Sequence, residues 1–217
     1  MTIKSSISTV AASVLLSLSL LATGTGAYAQ TPATFTAIPA GDAFITSLAT
    51  PFNITSNGQT TAGTLYSAVF STSAGTRDFF YQFVVGATSS APVTTLSLSD
   101  FAGYNAVYFQ STTVDIDDAG VFTAGGDTAT NSFTSSGTAF FSYAGVAVGG
   151  KSDTLLIRTT ATNYGVGNGA VISGASANAA ILAPAAAAVV PEANTVNLLG
   201  LALPMIGAVT VVRRRKG

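Results

Sequence analysis

The chain contains no cysteine, no histidine and no tryptophan, and charged residues make up only 8% of it. Without cysteine no disulfide can form, so an exported fold of this sequence must rest on its core. Without histidine and cysteine, a serine triad of the usual kind and most zinc sites are excluded. Glutamate occurs once, at Glu192. Between Gln30 and Ala188 the basic residues are Arg77, Lys151 and Arg158, against Asp42, Asp78, Asp100, Asp115, Asp117, Asp118, Asp127 and Asp153. An acidic segment without a basic patch is a poor partner for nucleic acid or anionic lipid. What is plentiful is Ser, Thr, Ala and Gly, the last numbering 22. They make a polar, weakly charged surface suited to a matrix or a cell surface as well as to free solution.

Both ends carry addresses. At the front, Lys4 and the free amine form a positive region, Val10 to Ala22 is apolar, and Ala27-Tyr28-Ala29 is an A-x-A cleavage site. Residues 1–29 therefore read as a signal peptide, with cleavage by signal peptidase leaving Gln30 at the mature N-terminus. At the back, the run 195–212 carries no charge and is followed at once by Arg213, Arg214, Arg215 and Lys216. As a helix it is about 27 Å long, near the thickness of a hydrocarbon core. The basic tail 213–217 holds the C-terminus in the cytoplasm and places everything before it outside. Pro204, Asn197 and Thr210 weaken the span. A permanent anchor and a temporary one that is cut and replaced both remain open.

Val190-Pro191-Glu192-Ala193, the apolar run and the basic cluster together resemble the PEP-CTERM sorting signal. Pro191 and Glu192 match its first two positions, and Ala193 stands where the family usually has Pro. The resemblance implies a diderm bacterium that makes exopolysaccharide, and processing by an exosortase-like membrane protease. It also implies an inner-membrane intermediate that becomes a cell-surface or matrix protein. The segments 75–83, 96–101 and 155–164 also resemble, in their order, the body of one group of PEP-CTERM proteins. That likeness implies a secreted β-protein of unassigned activity and carries no catalytic residue.

The middle of the chain reads as strands. Phe79, Tyr81, Phe83 and Val85 alternate with Phe80 and Val84, and Thr64–Ser71 has a similar pattern across the turn 74–78. Apolar residues on both faces mark central strands. Further strands are expected near 44–48, 94–99, 104–110, 112–116, 138–143, 154–160, 170–173 and 178–182. The segments 119–127 and 163–169 read as turns, the latter through Asn168-Gly169. No amphipathic helix interrupts them. The expected fold is all-β, an antiparallel sandwich of jelly-roll or Ig-like type over 30–183. A signal helix precedes it. An Ala/Pro linker (184–190) and the sorting segment 191–217, with its transmembrane helix, follow it.

The densest polar cluster is Asp115, Asp117 and Asp118 before Gly120. Carboxylates in a glycine-bearing loop suit Ca²⁺, but the EF-hand template fails at Ala119 and Gly126, and an acidic turn is the plainer reading. Gly165 to Gly169 lacks the following helix and the Lys of a phosphate loop. An Asp pair can serve a glycosidase, yet Asp117 and Asp118 are adjacent and suggest no opposed roles. Tyr104, Tyr108 and Phe109 are candidates for a sugar platform, or for ordinary strand packing. The sequence thus points to no catalytic residue and no cofactor. The expectation is a non-enzymatic exported protein associated with exopolysaccharide, or alternatively a carbohydrate- or calcium-dependent adhesive module.

Overall fold

Period-two alternation and short polar turns dominate the chain, and the computed structural model accordingly contains strands and no helix among the residues it describes, 29–113 and 122–186. In chain order the strands are β1 (Ala33–Thr34), β2 (Ala43–Ser56), β3 (Gln59–Ser71), β4 (Arg77–Val85), β5 (Val93–Leu98) and β6 (Val107–Ser111). They continue with β7 (Asn131–Ser135), β8 (Thr138–Val146), β9 (Thr154–Arg158), β10 (Tyr164–Ile172) and β11 (Ser176–Pro184). One sheet has six strands in the order β1-β6-β9-β4-β3-β2, and the other has five in the order β11-β10-β5-β8-β7. Every pairing between named strands is antiparallel except that of β1 with β6.

The core lies between the sheets. Leu65 and Val69 of β3 and Phe79, Tyr81, Phe83 and Val85 of β4 meet Leu96, Leu98, Phe141, Val171 and Ile181 from the five-stranded sheet. Burying each such side chain contributes roughly 1.5–3 kcal/mol. The rings meet edge to face, as in Phe83 with Tyr143 at 5.3 Å between centroids. The opposite face of β3 and β4 is covered as well. Ala68, Phe70, Phe80, Leu156 and Phe122 form a second cluster, against which Phe35 and Ile38 of the N-terminal segment pack. The two-faced apolar pattern of the β3–β4 hairpin is thus explained by a second layer made of irregular chain.

The free edge of β11 is closed by side chains from the other sheet. Tyr81 donates its hydroxyl to the Leu182 carbonyl at 2.6 Å, and Leu182 N–H donates to Ser67 Oγ at 3.0 Å. Thr50 Oγ1 donates to the Ala180 carbonyl at 2.8 Å. An edge whose backbone groups are satisfied in this way offers less of a template to another chain.

Three expectations need correction. The turn expected at 163–169 is the first part of β10, which pairs with β11 from Tyr164↔Pro184 to Ile172↔Ser176. Its glycines are there for close approach. A Cβ on Gly167 would lie 2.6 Å from Asp100 Oδ2 and 2.7 Å from Ala183 Cβ, and one on Gly169 would lie 2.9 Å from Ile181 Cγ2. The strand expected at 44–48 runs on to Ser56 as part of a 14-residue β2. Of the strand expected at 112–116, Thr112 and Thr113 form a bend after β6, and the remainder lies outside the described residues.

Candidate functional site

The main polar cluster within the second layer sits where β2 begins. Asp78 is the second residue of β4, on the outer face, and is 1% exposed. Antiparallel register puts Asp78 opposite Arg158 of β9. Arg158 donates from Nε to Asp78 Oδ2 at 3.0 Å, and its guanidinium lies 5.8 Å from the centre of the Phe109 ring. Asp42, arriving from the N-terminal segment, lines the same cleft, and its carboxyl is close enough to Asp78 for each to influence the other's protonation. Burial first, and the Asp42 carboxylate second, push Asp78 up to about 7, against the pull of Arg158. Asp42 is raised too, by burial, with Asp78 and Arg158 opposing. The two carboxyls titrate as a coupled pair, with Arg158 as the basic side chain that favours their ionised forms. Pro39, Thr72, Ser73, Thr76 and Thr159 complete a cleft of about 280 Å³ around them.

This arrangement does not suit acid–base hydrolysis. Glycosidase carboxylates stand about 5 Å apart or more, on opposite sides of the scissile bond. Asp42 and Asp78 share one small cleft, and Asp78 is closed off and tied to Arg158. The cleft is a neutralised polar junction that joins the N-terminal segment to the sheet.

A second cavity, of about 160 Å³, lies between the N-terminal segment, the end of β6 and the start of β9. It is lined by Thr34, Phe35, Thr36, Gln110, Ser111, Thr112, Thr113, Thr128 and Asp153. Backbone bonds place Asp153: Asp127 N–H donates to the Lys151 carbonyl at 2.8 Å, and Asp153 N–H donates to the Asp127 carbonyl at 2.9 Å. Burial raises the Asp153 carboxyl, Asp127 adds to the rise, and Thr128 opposes it.

The residues singled out from sequence fall in different places. Asp115, Asp117 and Asp118 lie outside the described residues, between Thr113 and Phe122 in the sequence. Ala27, the sorting residues Pro191, Glu192 and Ala193, the span 195–212 and Arg213–Lys216 lie outside them too. Ala29 and Gln30 are described. Gln30 exchanges backbone bonds with Ser132 of β7, its N–H donating to the Ser132 carbonyl at 2.8 Å. Among the described residues no helix is long and apolar enough to cross a membrane.

The structure does not assemble an aromatic platform from Tyr104, Tyr108 and Phe109. Tyr108 points into the core between the sheets, edge-on to Phe141 at 5.5 Å, with its hydroxyl bonded to Thr134. Phe109, its neighbour on the strand, packs in the outer cluster, and Tyr104 packs against the main core. Asp42 and Asp153 belong to no motif in the sequence. Asp78 falls at the end of the expected turn 74–78, although a charge followed directly by Phe79, Phe80 and Tyr81 signals a buried ion needing a distant partner.

Comparison of the chain with protein-family models, with curated protein sequences and with solved structures finds no match.

Proposed function

We propose that this is an exported, non-enzymatic protein of the cell surface or extracellular matrix of a diderm bacterium, associated with exopolysaccharide. The observation that carries the reading is the order of parts along one chain. A leader ending in Ala27-Tyr28-Ala29 precedes an all-β body, and an uncharged run and four cations follow it. In this reading signal peptidase frees Gln30. The run 195–212 holds the chain in the inner membrane, and an exosortase-like protease acts at Pro191-Glu192-Ala193. The body is a sandwich of jelly-roll or Ig-like type. Its neutralised carboxylate junction and its capped β11 edge favour a passive, durable module over a catalyst.

Cell fractionation and intact mass of the protein from its native host test this. The expected product is found at the surface or in the matrix, begins at Gln30 and lacks the residues after the 191–193 motif. A surface product that retains Lys216 makes the anchor permanent and removes the protease from the account. A body found in the cytosol overturns the whole reading.

A further inference from the structure

The five strands β5, β7, β8, β10 and β11 contain no Asp, Glu, Lys or Arg. A solvated sheet face ordinarily carries such charges, which keep copies of a protein apart. Cross-strand register aligns Phe133 of β7, Phe140 of β8, Ser97 of β5 and Ala170 of β10 in one row on the outer face of this sheet. All four are partly exposed. The two rings stack, with 4.8 Å between centroids and 11° between planes. Neither belongs to the main core or to the cluster on the other sheet. One face of each ring covers the other. The free face of Phe140 lies on the β5 side, above Ser97 and Ala170, whose side chains are too small to cover it. Hydroxyls flank this shelf. Ser97 Oγ makes only a long 3.5 Å contact with the Ala170 carbonyl, and the Thr95–Ser142 pair stands two residues along on the same face. Cross-strand support of the β7–β8 hairpin accounts for a ring pair. It does not account for a sheet free of charge on a body with three basic residues and eight aspartates.

We propose that this face binds a neutral polysaccharide, with Phe140, backed by Phe133, as the surface on which a sugar ring stacks, and with Ser97, Thr95 and Ser142 as partners for its hydroxyls. A pyranose has an apolar C–H face and a rim of hydroxyls. The shelf sets an aromatic face beside hydroxyls in the matching arrangement. Charge selects the class of polymer. A charged side chain covered by a neutral sugar would be desolvated without a counter-charge, and this sheet has none. An anionic polymer finds no cation here and is repelled by the acidic body. An open sheet face suits an extended chain and not a single sugar enclosed in a pocket. One stacking surface gives weak binding, with Kd on the order of 0.1–1 mM per chain segment. The inference rests on the reading of the protein as exopolysaccharide-associated and supplies its contact surface.

The test is affinity electrophoresis of the full chain, in a mild detergent without a sugar head group, through gels containing hydroxyethyl cellulose, galactomannan or alginate. Mobility is read against a polymer-free gel. The expected result is retardation by hydroxyethyl cellulose or galactomannan and none by alginate. Phe140→Ala should weaken the retardation about fivefold. Ser97→Lys keeps both rings and fills the shelf, and it should weaken the retardation as much. Its position is partly exposed and does not threaten the fold, so it decides the matter if Phe140→Ala fails to fold. No retardation by either neutral polymer overturns the proposal, and so does equal retardation by alginate. Retardation unchanged in both variants, with Tm lowered by Phe140→Ala, makes the ring pair purely structural and overturns it too. A dimer in sedimentation that Phe140→Ala dissociates gives the face to a second copy of the chain, with the same consequence. Each of these failures leaves the export reading to fractionation and intact mass, whereas a retarded chain found in the cytosol defeats the export reading alone.

Discussion

Asp78 of β4 faces Arg158 of β9, whose Nε lies 3.0 Å from its Oδ2, and yet burial and the neighbouring Asp42 carboxyl push the Asp78 carboxyl up to about 7. The fold therefore takes up a proton that the unfolded chain, with an ordinary carboxyl near 3.8, releases. Where the native state binds more protons than the unfolded state, stability falls as pH rises. The contribution is complete below about pH 4 and is lost progressively as pH climbs to about 7. Its size is on the order of a few kcal/mol. Tm measured from pH 4 to pH 8 should thus be higher on the acid side. Asp42→Asn removes the second cause of the rise and leaves burial, the first, so it should make the profile shallower without abolishing it; an equally steep profile in that variant would sink the account.

The glycines of β10 carry a prediction with an internal control. Gly167→Ala forces a methyl against Asp100 Oδ2 and Ala183 Cβ at 2.6 and 2.7 Å. The exposed Asp100 carboxylate can turn aside, but Ala183 Cβ is held by the β10–β11 pairing, so the cost should be about 1–3 kcal/mol. At Gly165 the same methyl meets only Ala185 Cβ, at 3.3 Å. There the reduced freedom of the unfolded chain should make Ala neutral or mildly stabilising. Urea midpoints for the two variants test this, and equal loss at both positions would refute the close-approach explanation.

The contrast between β10 and the β3–β4 hairpin shows what was legible in the sequence. The hairpin announced itself because large apolar residues alternate on both faces, and its strands run close to where the pattern put them. In β10 the inward positions are Gly165, Gly167 and Gly169, and glycine carries no hydrophobic signal. Alternating glycine was taken for a turn, when its period of two marked a strand facing crowded neighbours. β7 escaped notice for a related reason: its inward residue is Ser132, buried without being apolar. The Asp42–Asp78 junction is illegible in the sequence because its members, a residue just before β2, one in β4 and one in β9, lie far apart along the chain. Only register, Asp78 opposite Arg158, brings the arginine into place.

The clasp on β11 predicts a cooperative loss. Tyr81→Phe keeps the ring and removes the donor to the Leu182 carbonyl, leaving that carbonyl unsatisfied in the core. The expected cost is about 1–3 kcal/mol. Ser67→Ala removes the acceptor for Leu182 N–H and should cost about as much. Because both bonds hold one peptide segment, the double variant should lose less than the sum. Amide exchange should speed up in β11 before it does in β4; uniform acceleration across both strands would argue against a local clasp.

Gln82 ties the segment after Phe122 to the outer face of β4. Its Nε2 donates to the carbonyls of Thr123 and Ser152 at 2.9 and 3.0 Å, and its Oε1 accepts from Thr123 N–H at 3.0 Å. Gln82→Glu is nearly isosteric but turns a double donor into an acceptor that faces two carbonyl oxygens. An ionised Glu there is buried against two carbonyl oxygens, with the nearby Lys151 ammonium already engaged on Thr123 Oγ1 and the Ala124 carbonyl, and the variant should lose about 3–5 kcal/mol at neutral pH. A protonated Glu restores one of the two donors, so the folded state raises the pKa of the new carboxyl. By the same sign rule, the deficit should be smallest in acid and should grow as pH rises past the ordinary carboxyl range. Urea unfolding of the variant and the wild type at pH 4 and pH 8 measures the difference directly. A deficit independent of pH would mean that Gln82 acts through shape and not through its donors.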